Sequence, residues 1–214
     1  MIPASQWASA WSEHESTTIQ QAAAAEKDLE AWLNGAPHAS FDPFRRLLEL
    51  IDGQFQSLLE IGSGWGGYCQ VLKHIDPDAD YCGCDISHHM INYSVQRWGP
   101  MFFQSDSSLL CAETSSFDVT CISGLIQHLA DYRPSIREAV RVSRKYVMLH
   151  RVECTSAPSY EFIRRAYDSD VPTRRVNQGE LLKFCQECGL KILGQETWSV
   201  GPSEWNASFL LEKP

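Results

Sequence analysis

Residues 58–68 read Leu58-Leu59-Glu60-Ile61-Gly62-Ser63-Gly64-Trp65-Gly66-Gly67-Tyr68. An apolar run ends in a glycine-rich turn that opens a helical pattern. Such a turn reverses the chain sharply, exposes bare backbone to a ligand, and leaves N–H groups at a helix start that favour an anion. About 20 residues further on, Asp85 closes the next apolar run, where an acid is placed to accept hydrogen bonds from two ribose hydroxyls. Taken alone, the glycines also fit a ligand-free strand-to-helix turn, and Gly62-x-Gly64-x-x-Gly67 fits a nicotinamide-dinucleotide fingerprint. Asp85 alone fits a helix N-terminal acid, and Asp106 alone fits a turn or cap.

Around this turn, the apolar runs Ser57 to Ile61, Asp80 to Cys84, Met101 to Phe103, Val119 to Ile122 and Tyr146 to Leu149 alternate with helical stretches at 67–74, 87–98 and 132–143. Strand and helix in repetition predict a mostly parallel sheet covered on both faces, with right-handed crossovers. The end differs: a helix at 177–188, a strand from Lys191 to Trp198, a Gly201-Pro202 turn and a strand at 205–212. Two strands joined so closely must run antiparallel. Upstream, 5–33 reads as one helix carrying Trp7 and Trp11, stopped by Asn34-Gly35-Ala36-Pro37, and a second helix begins near Asp42-Pro43. The expected organisation is an N-terminal helical cap over 1–40 and an α/β domain over 41–214, with an insertion at about 152–177.

Glu60, two residues before Gly62, makes the turn Glu-x-Gly-x-Gly-x-Gly. After the third run, Phe103-Gln104-Ser105-Asp106-Ser107 places a carboxylate beside an amide where an adenine amino group would need an acceptor. Together with Ser116-Phe117-Asp118-Val119, Gln127-His128-Leu129-Ala130-Asp131 and the terminal hairpin, these segments resemble the class I S-adenosylmethionine-dependent methyltransferases of small-molecule type, from about Phe41 onward. The resemblance implies a Rossmann-like, doubly wound seven-stranded sheet with a C-terminal antiparallel hairpin. It also implies S-adenosylmethionine as cofactor. Glu60, Gly62, Ser63, Gly64 and Gly66 would stand around its methionine part, Asp85 at the ribose, Ile86, Asp106 and Ser107 around the adenine, and Ser123 with Gly124 near the sulfonium.

Methyl transfer is an in-line displacement, so the protein must hold the nucleophile, exclude water and remove a proton where the acceptor carries one. His128, after the fourth strand, is the first candidate base and His150, ending the fifth, the second. Either histidine also reads as one that packs a turn. No Asn/Asp-Pro-Pro-aromatic segment follows the fourth strand, no Pro-Cys points to covalent cytosine chemistry, and no acidic cluster has divalent-ion spacing. The expectation is therefore transfer without a metal to an oxygen (or nitrogen) of a small acceptor. Rival readings are a cofactor-binding regulator or subunit without catalysis and an NAD-dependent oxidoreductase, although no Tyr-x-x-x-Lys pair occurs in the chain.

The 214 residues carry a formal net charge of −9 and are 43% hydrophobic, which excludes wholesale disorder. The acid excess disfavours nucleic acid as a partner. No apolar run suits a bilayer span and the N-terminus lacks signal-peptide features, so the expectation is a cytoplasmic monomer or homodimer without membrane attachment. Residues 133–175 are nevertheless net +5, leaving −14 for the remainder. Within that stretch Arg164, Arg165, Arg174 and Arg175, with Tyr160, fall in the insertion that this family uses as an acceptor lid. They are candidates to clamp an anionic handle, or else simply balance nearby acids. Trp7 and Trp11 read more readily as pinning their helix than as a lid. The eight cysteines, Cys185-x-x-Cys188 included, read as core thiols rather than metal ligands.

Overall fold

The computed structural model describes residues 2–12, 15–166 and 169–214. The segment expected as a single N-terminal helix is described as α1 (Ala4–Ser12) and α2 (Glu15–Leu33), and residues 13–14 between them lie outside the described residues. Gly35, at φ +92°, ends α2 in the left-handed conformation that suits glycine. α3 (Phe41–Leu48) follows, with Asp42 in its first turn accepting from Trp32 Nε1 and from the His38 backbone N–H, each at 2.9 Å. These bonds fasten the cap to the domain.

The alternating segments form β1 (Ser57–Ile61), α4 (Tyr68–Ile75), β2 (Asp80–Asp85), α5 (His88–Trp98), β3 (Phe102–Gln104), β4 (Phe117–Ser123), α6 (Arg133–Val142) and β5 (Ser143–Thr155). β3, β2, β1, β4 and β5 lie side by side in that order and all parallel. After α7 (Gln178–Glu187), the antiparallel pair β8 (Lys191–Gly201) and β9 (Glu204–Glu212) completes the sheet, with β9 against β5. Alternate side chains enter two cores. Leu59, Ile61, Ile122 and Leu149 pack toward α6 and α7, whereas Leu58, Val119, Cys121 and Met148 pack toward α3 and α4.

The sheet has nine strands, not the expected seven. β5 runs on to Thr155, and the insertion folds as the hairpin β6 (Tyr160–Ala166) and β7 (Ser169–Asn177), docked parallel on Cys154–Thr155 through Val176–Asn177. The signal for this hairpin was weak because charged residues interrupt its apolar positions; Val171 and Val176 are buried, and charge pairing adds to that burial. Glu161 and Arg174 are direct cross-strand partners with a 2.6 Å ion pair, and Glu153 of β5 takes Arg164 at 2.6 Å and also binds Arg175. No helix among the described residues is long and apolar enough to cross a membrane.

Strand order reverses between β1 and β4, and the register aligns Ile61 with Cys84 and Ile122, and Ser123 with His150. The carboxyl ends of the central strands therefore open on one crevice, the place where doubly wound sheets bind ligands.

Candidate active site

A cavity of about 470 Å³ occupies that crevice, within the size range of small-molecule sites. The turn after β1 forms one wall. Gly62, Gly64 and Gly66 all have positive φ (+76°, +53° and +81°), a conformation open to glycine at little cost. A Cβ on Gly62 would come within 3.0 Å of the Leu125 side chain. Ser94 of α5 donates to the Gly64 carbonyl at 3.0 Å and Trp98 Nε1 to that of Trp65 at 2.9 Å, so the turn is held before any ligand arrives.

The N–H groups of this turn are not the free anion nest that the glycines suggest. Those of Gly62 and Ser63 donate to the Cys84 carbonyl at 2.8 and 2.9 Å, that of Gly66 to Ser63 at 3.0 Å, and that of Gly64 to Asp85 Oδ2 at 2.9 Å. Asp85 Oδ1 accepts from the Ser87 N–H at 2.9 Å. Burial raises the Asp85 carboxyl above its ordinary value, against the pull of these backbone bonds. Four N–H groups of the turn are satisfied within the protein, and the Asp85 carboxylate lines the cavity with lone pairs to spare.

Glu60, one residue before the end of β1, is almost fully buried, and Tyr81 of β2 donates its hydroxyl to it. Burial pushes the Glu60 carboxyl up to about 7, opposed by the Tyr81 bond and by the charge of Arg151. At the other end, Ile86, Asp106 and Ser107 line the cavity. Asp106 is exposed and accepts from the backbone and hydroxyl of Ser108, both at 2.7 Å, while buried Ser107 shares a 2.7 Å bond with Ser135 of α6.

The roof comes from the cap. Trp7, Trp11 and Gln21 line the cavity, Arg174 stacks over the Trp7 ring at 5.4 Å, and Trp11 meets the His128 ring edge-on at 4.7 Å. The tryptophans therefore both anchor the helix and close the cavity, two roles that the sequence reading set against each other. His128 ends a short 3-10 turn, Ile126–His128, with Nδ1 3.2 Å from the Pro172 carbonyl. Burial lowers its pKa to about 4, so the ring is neutral near pH 7. A carbonyl only accepts, so Nδ1 carries the proton and Nε2 keeps its lone pair.

Nine of the ten expected cofactor residues thus converge on one cavity, together with His128. Gly66 does not line it: a Cβ there would meet the Phe102 ring at 2.7 Å, so its glycine serves close packing behind the turn. His150 does not line it either. It is fully buried, shares 2.8 Å bonds with the Tyr68 hydroxyl and Ser208 Oγ, and burial holds it well below its ordinary pKa, as a core histidine. Tyr160, Arg164, Arg165, Arg174 and Arg175 also lie off the cavity. Glu153, Asp170, Glu161 and Glu204 meet the charges of these arginines, and Tyr160 donates to Glu204.

Sequence reading passed over Arg151, Gln21 and Tyr68, which do line the cavity. Nothing in the order of residues separates Arg151 from the other arginines of its stretch. Several buried polar atoms around the cavity find no hydrogen-bond partner among the described residues: Ser63 Oγ, Ser123 Oγ, Gln21 Oε1, Trp7 Nε1 and Arg151 Nε. Native interiors leave few such groups. This set fits a polar ligand of the size and make-up of S-adenosylmethionine.

The strand order and the terminal antiparallel hairpin are those of a Rossmann-like methyltransferase fold. Residues 59–149 match the family model described as a methyltransferase domain. Over that segment, which runs from β1 into β5, the chain is similar to a methyltransferase domain. No curated protein matches it in sequence. Among solved structures it is similar to a SAM-dependent methyltransferase from Methanosarcina mazei, at 16% identity and TM-score 0.64 over 78% of this chain and 96% of that one. It is similar also to a magnesium protoporphyrin IX methyltransferase from Synechocystis with bound SAH, at 14% and 0.57 over 94% and 100%. A third is the cyclase SpnF, at 16% and 0.64 over 88% and 92%. At these identities the likeness is one of fold.

Proposed function

We propose that the chain transfers a methyl group from S-adenosylmethionine to an oxygen (or nitrogen) of a small acceptor held between the cofactor and the cap. The observation that carries this reading is the convergence of Glu60, Asp85, Ser107, Ser123 and His128 on one cavity roofed by Trp7 and Trp11. Fold alone does not decide it, since a cyclase shares the fold. Four N–H groups of the glycine turn are already bonded within the protein, which leaves fewer for the pyrophosphate of a dinucleotide.

In this reading Asp85 holds the ribose, Asp106 and Ser107 the adenine edge, and Glu60 with the turn 62–64 the methionine end. When bound, the cofactor would supply an electrophilic methyl group on a sulfonium for in-line transfer to the acceptor. His128 Nε2 accepts a hydrogen bond from the acceptor's O–H or N–H and aims its lone pair. With its pKa near 4, it orients the acceptor more than it ionises it. The two tryptophans keep water out.

That weak basicity favours one second reading, a protein that binds the cofactor without transferring its methyl group. Calorimetry with S-adenosylhomocysteine (SAH) and NAD, on wild type and Asp85→Ala, tests the main reading. SAH should bind wild type and lose about tenfold to hundredfold in the variant; binding of NAD but not SAH would overturn the class. Tight SAH binding with no transfer to any member of a broad acceptor library would leave the second reading.

A further inference from the structure

We infer that Arg151 is the carboxylate-binding residue of this cavity: its guanidinium pairs with a ligand carboxylate, from the methionine end of the cofactor or from the acceptor. The inference rests on the methyltransferase reading of the same cavity.

Three independent observations carry it. First, the backbone is strained to put the side chain there. Arg151 has φ +56° at a break in the β5–β9 register between Leu149 and Val152. A non-glycine residue in the left-handed region costs stability, and such outliers cluster at functional sites. The irregularity turns the side chain toward β4, where a Cβ on Gly124 would stand 2.4 Å from Arg151 Nη2, and the guanidinium lies over the Tyr68 ring at 5.6 Å. Second, Arg151 lacks what its neighbours have. Arg164, Arg174 and Arg175 each pair with a carboxylate, whereas no carboxylate among the described residues lies within ion-pairing distance of Arg151; its Nε, like that of Arg175, is buried without a hydrogen-bond partner among the described residues. A partly buried charge in that position calls for a counter-ion.

Third, the cavity offers an anion little else. Among the described residues Arg151 is the only arginine or lysine that lines it, and four N–H groups of the glycine turn are already spent on Cys84, Ser63 and Asp85. The planar fork of a guanidinium matches a carboxylate with two parallel hydrogen bonds.

Calorimetry on wild type, Arg151→Met and Arg151→Lys decides it, using SAH, 5′-methylthioadenosine, which lacks the amino-acid end, and, on SAH-saturated protein, benzoate and short aliphatic carboxylates. If the cofactor is the source, Arg151→Met loses about tenfold to hundredfold for SAH and nothing for methylthioadenosine. If the acceptor is the source, SAH affinity is unchanged and the small carboxylates bind wild type but not Arg151→Met. Arg151→Lys, a charge without the fork, falls between. Unchanged affinity for SAH, with no carboxylate sensitive to the substitution, overturns the inference and leaves the methyltransferase reading intact. Failure of wild type to bind either nucleoside overturns that reading instead, and Arg151 is then judged on the carboxylates alone. Arg151→Gly supplies the control for folding: it relaxes the left-handed backbone, so it should melt no lower than wild type while losing the same ligand. A merely structural arginine would give a lower melting temperature and unchanged affinity.

Discussion

His128 Nδ1 lies 3.2 Å from the carbonyl oxygen of Pro172, so the loop after β4 and the hairpin β6–β7 share a hydrogen bond at the edge of the cavity. The hairpin thereby sets the tautomer of His128, the one histidine among the described residues that lines the cavity, although no arginine of the hairpin lines it.

Burial makes this histidine a measurable contributor to stability. Its pKa falls from the ordinary 6.5 to about 4 on folding, so the unfolded chain takes up a proton first as pH drops. The contribution is fully present above about 6.5 and is lost as pH falls through the window to about 4. The difference in unfolding free energy between wild type and His128→Gln should shrink across that window; a difference independent of pH would refute the assignment. Initial rates of His128→Gln should fall mainly through kcat, because the lost contact is to the acceptor and not to the nucleoside.

Glu60 shifts in the other direction, from an ordinary 4.5 to about 7, because burial disfavours its charge. Its neutral form is the stable one, so it costs stability as pH rises from about 4.5 through 7. A cationic ligand relieves that cost. S-adenosylmethionine should bind more tightly at pH 8 than at pH 6, by up to about tenfold for a single group. Glu60→Gln should flatten the profile. A wild-type affinity that is level or falls over this range would remove Glu60 from the site.

Gly66 should be intolerant for a reason unrelated to ligand. An alanine side chain at this position would combine a left-handed backbone at φ +81° with a Cβ 2.7 Å from the Phe102 ring. Gly66→Ala should cost about 2–4 kcal/mol in chemical denaturation. The double variant Gly66→Ala with Phe102→Leu should recover part of the loss. No recovery would mean that the contact with Phe102 is not the cause.

Removing Glu153 should unsettle the hairpin. It pairs with Arg164 and Arg175, and it is itself nearly buried. Glu153→Ala removes the carboxylate that Arg164 and Arg175 share, while Arg175 keeps Glu204, for about 3 kcal/mol of stability. Affinity for SAH should be unaltered, in contrast to Arg151→Met. A large loss of SAH affinity with unchanged melting would show that these charges serve the ligand.

How much of this was legible depended on where each signal lay. β1, the glycine turn, Asp85 and the crossover helices were readable because a buried parallel strand must be apolar on both faces and a left-handed turn must be glycine, requirements met within a few neighbouring residues. Gly66 and His150 carried the right letters in the right segments, yet one packs against Phe102 and the other bonds Tyr68 and Ser208, partners distant in sequence.

Sequence by itself determined the parallel sheet, the crevice at its switch point and the residues at the carboxyl ends of β1, β2 and β4, because local periodicity and glycine stereochemistry leave few other solutions. Tertiary structure alone decided how the charges are spent. Nine arginines between 133 and 175 are equivalent as letters, and only the ion pairs on the hairpin and the break in the β5–β9 register set Arg151 apart from Arg164, Arg174 and Arg175. Coulomb pairing depends on distance in space, which residue order along a strand does not specify.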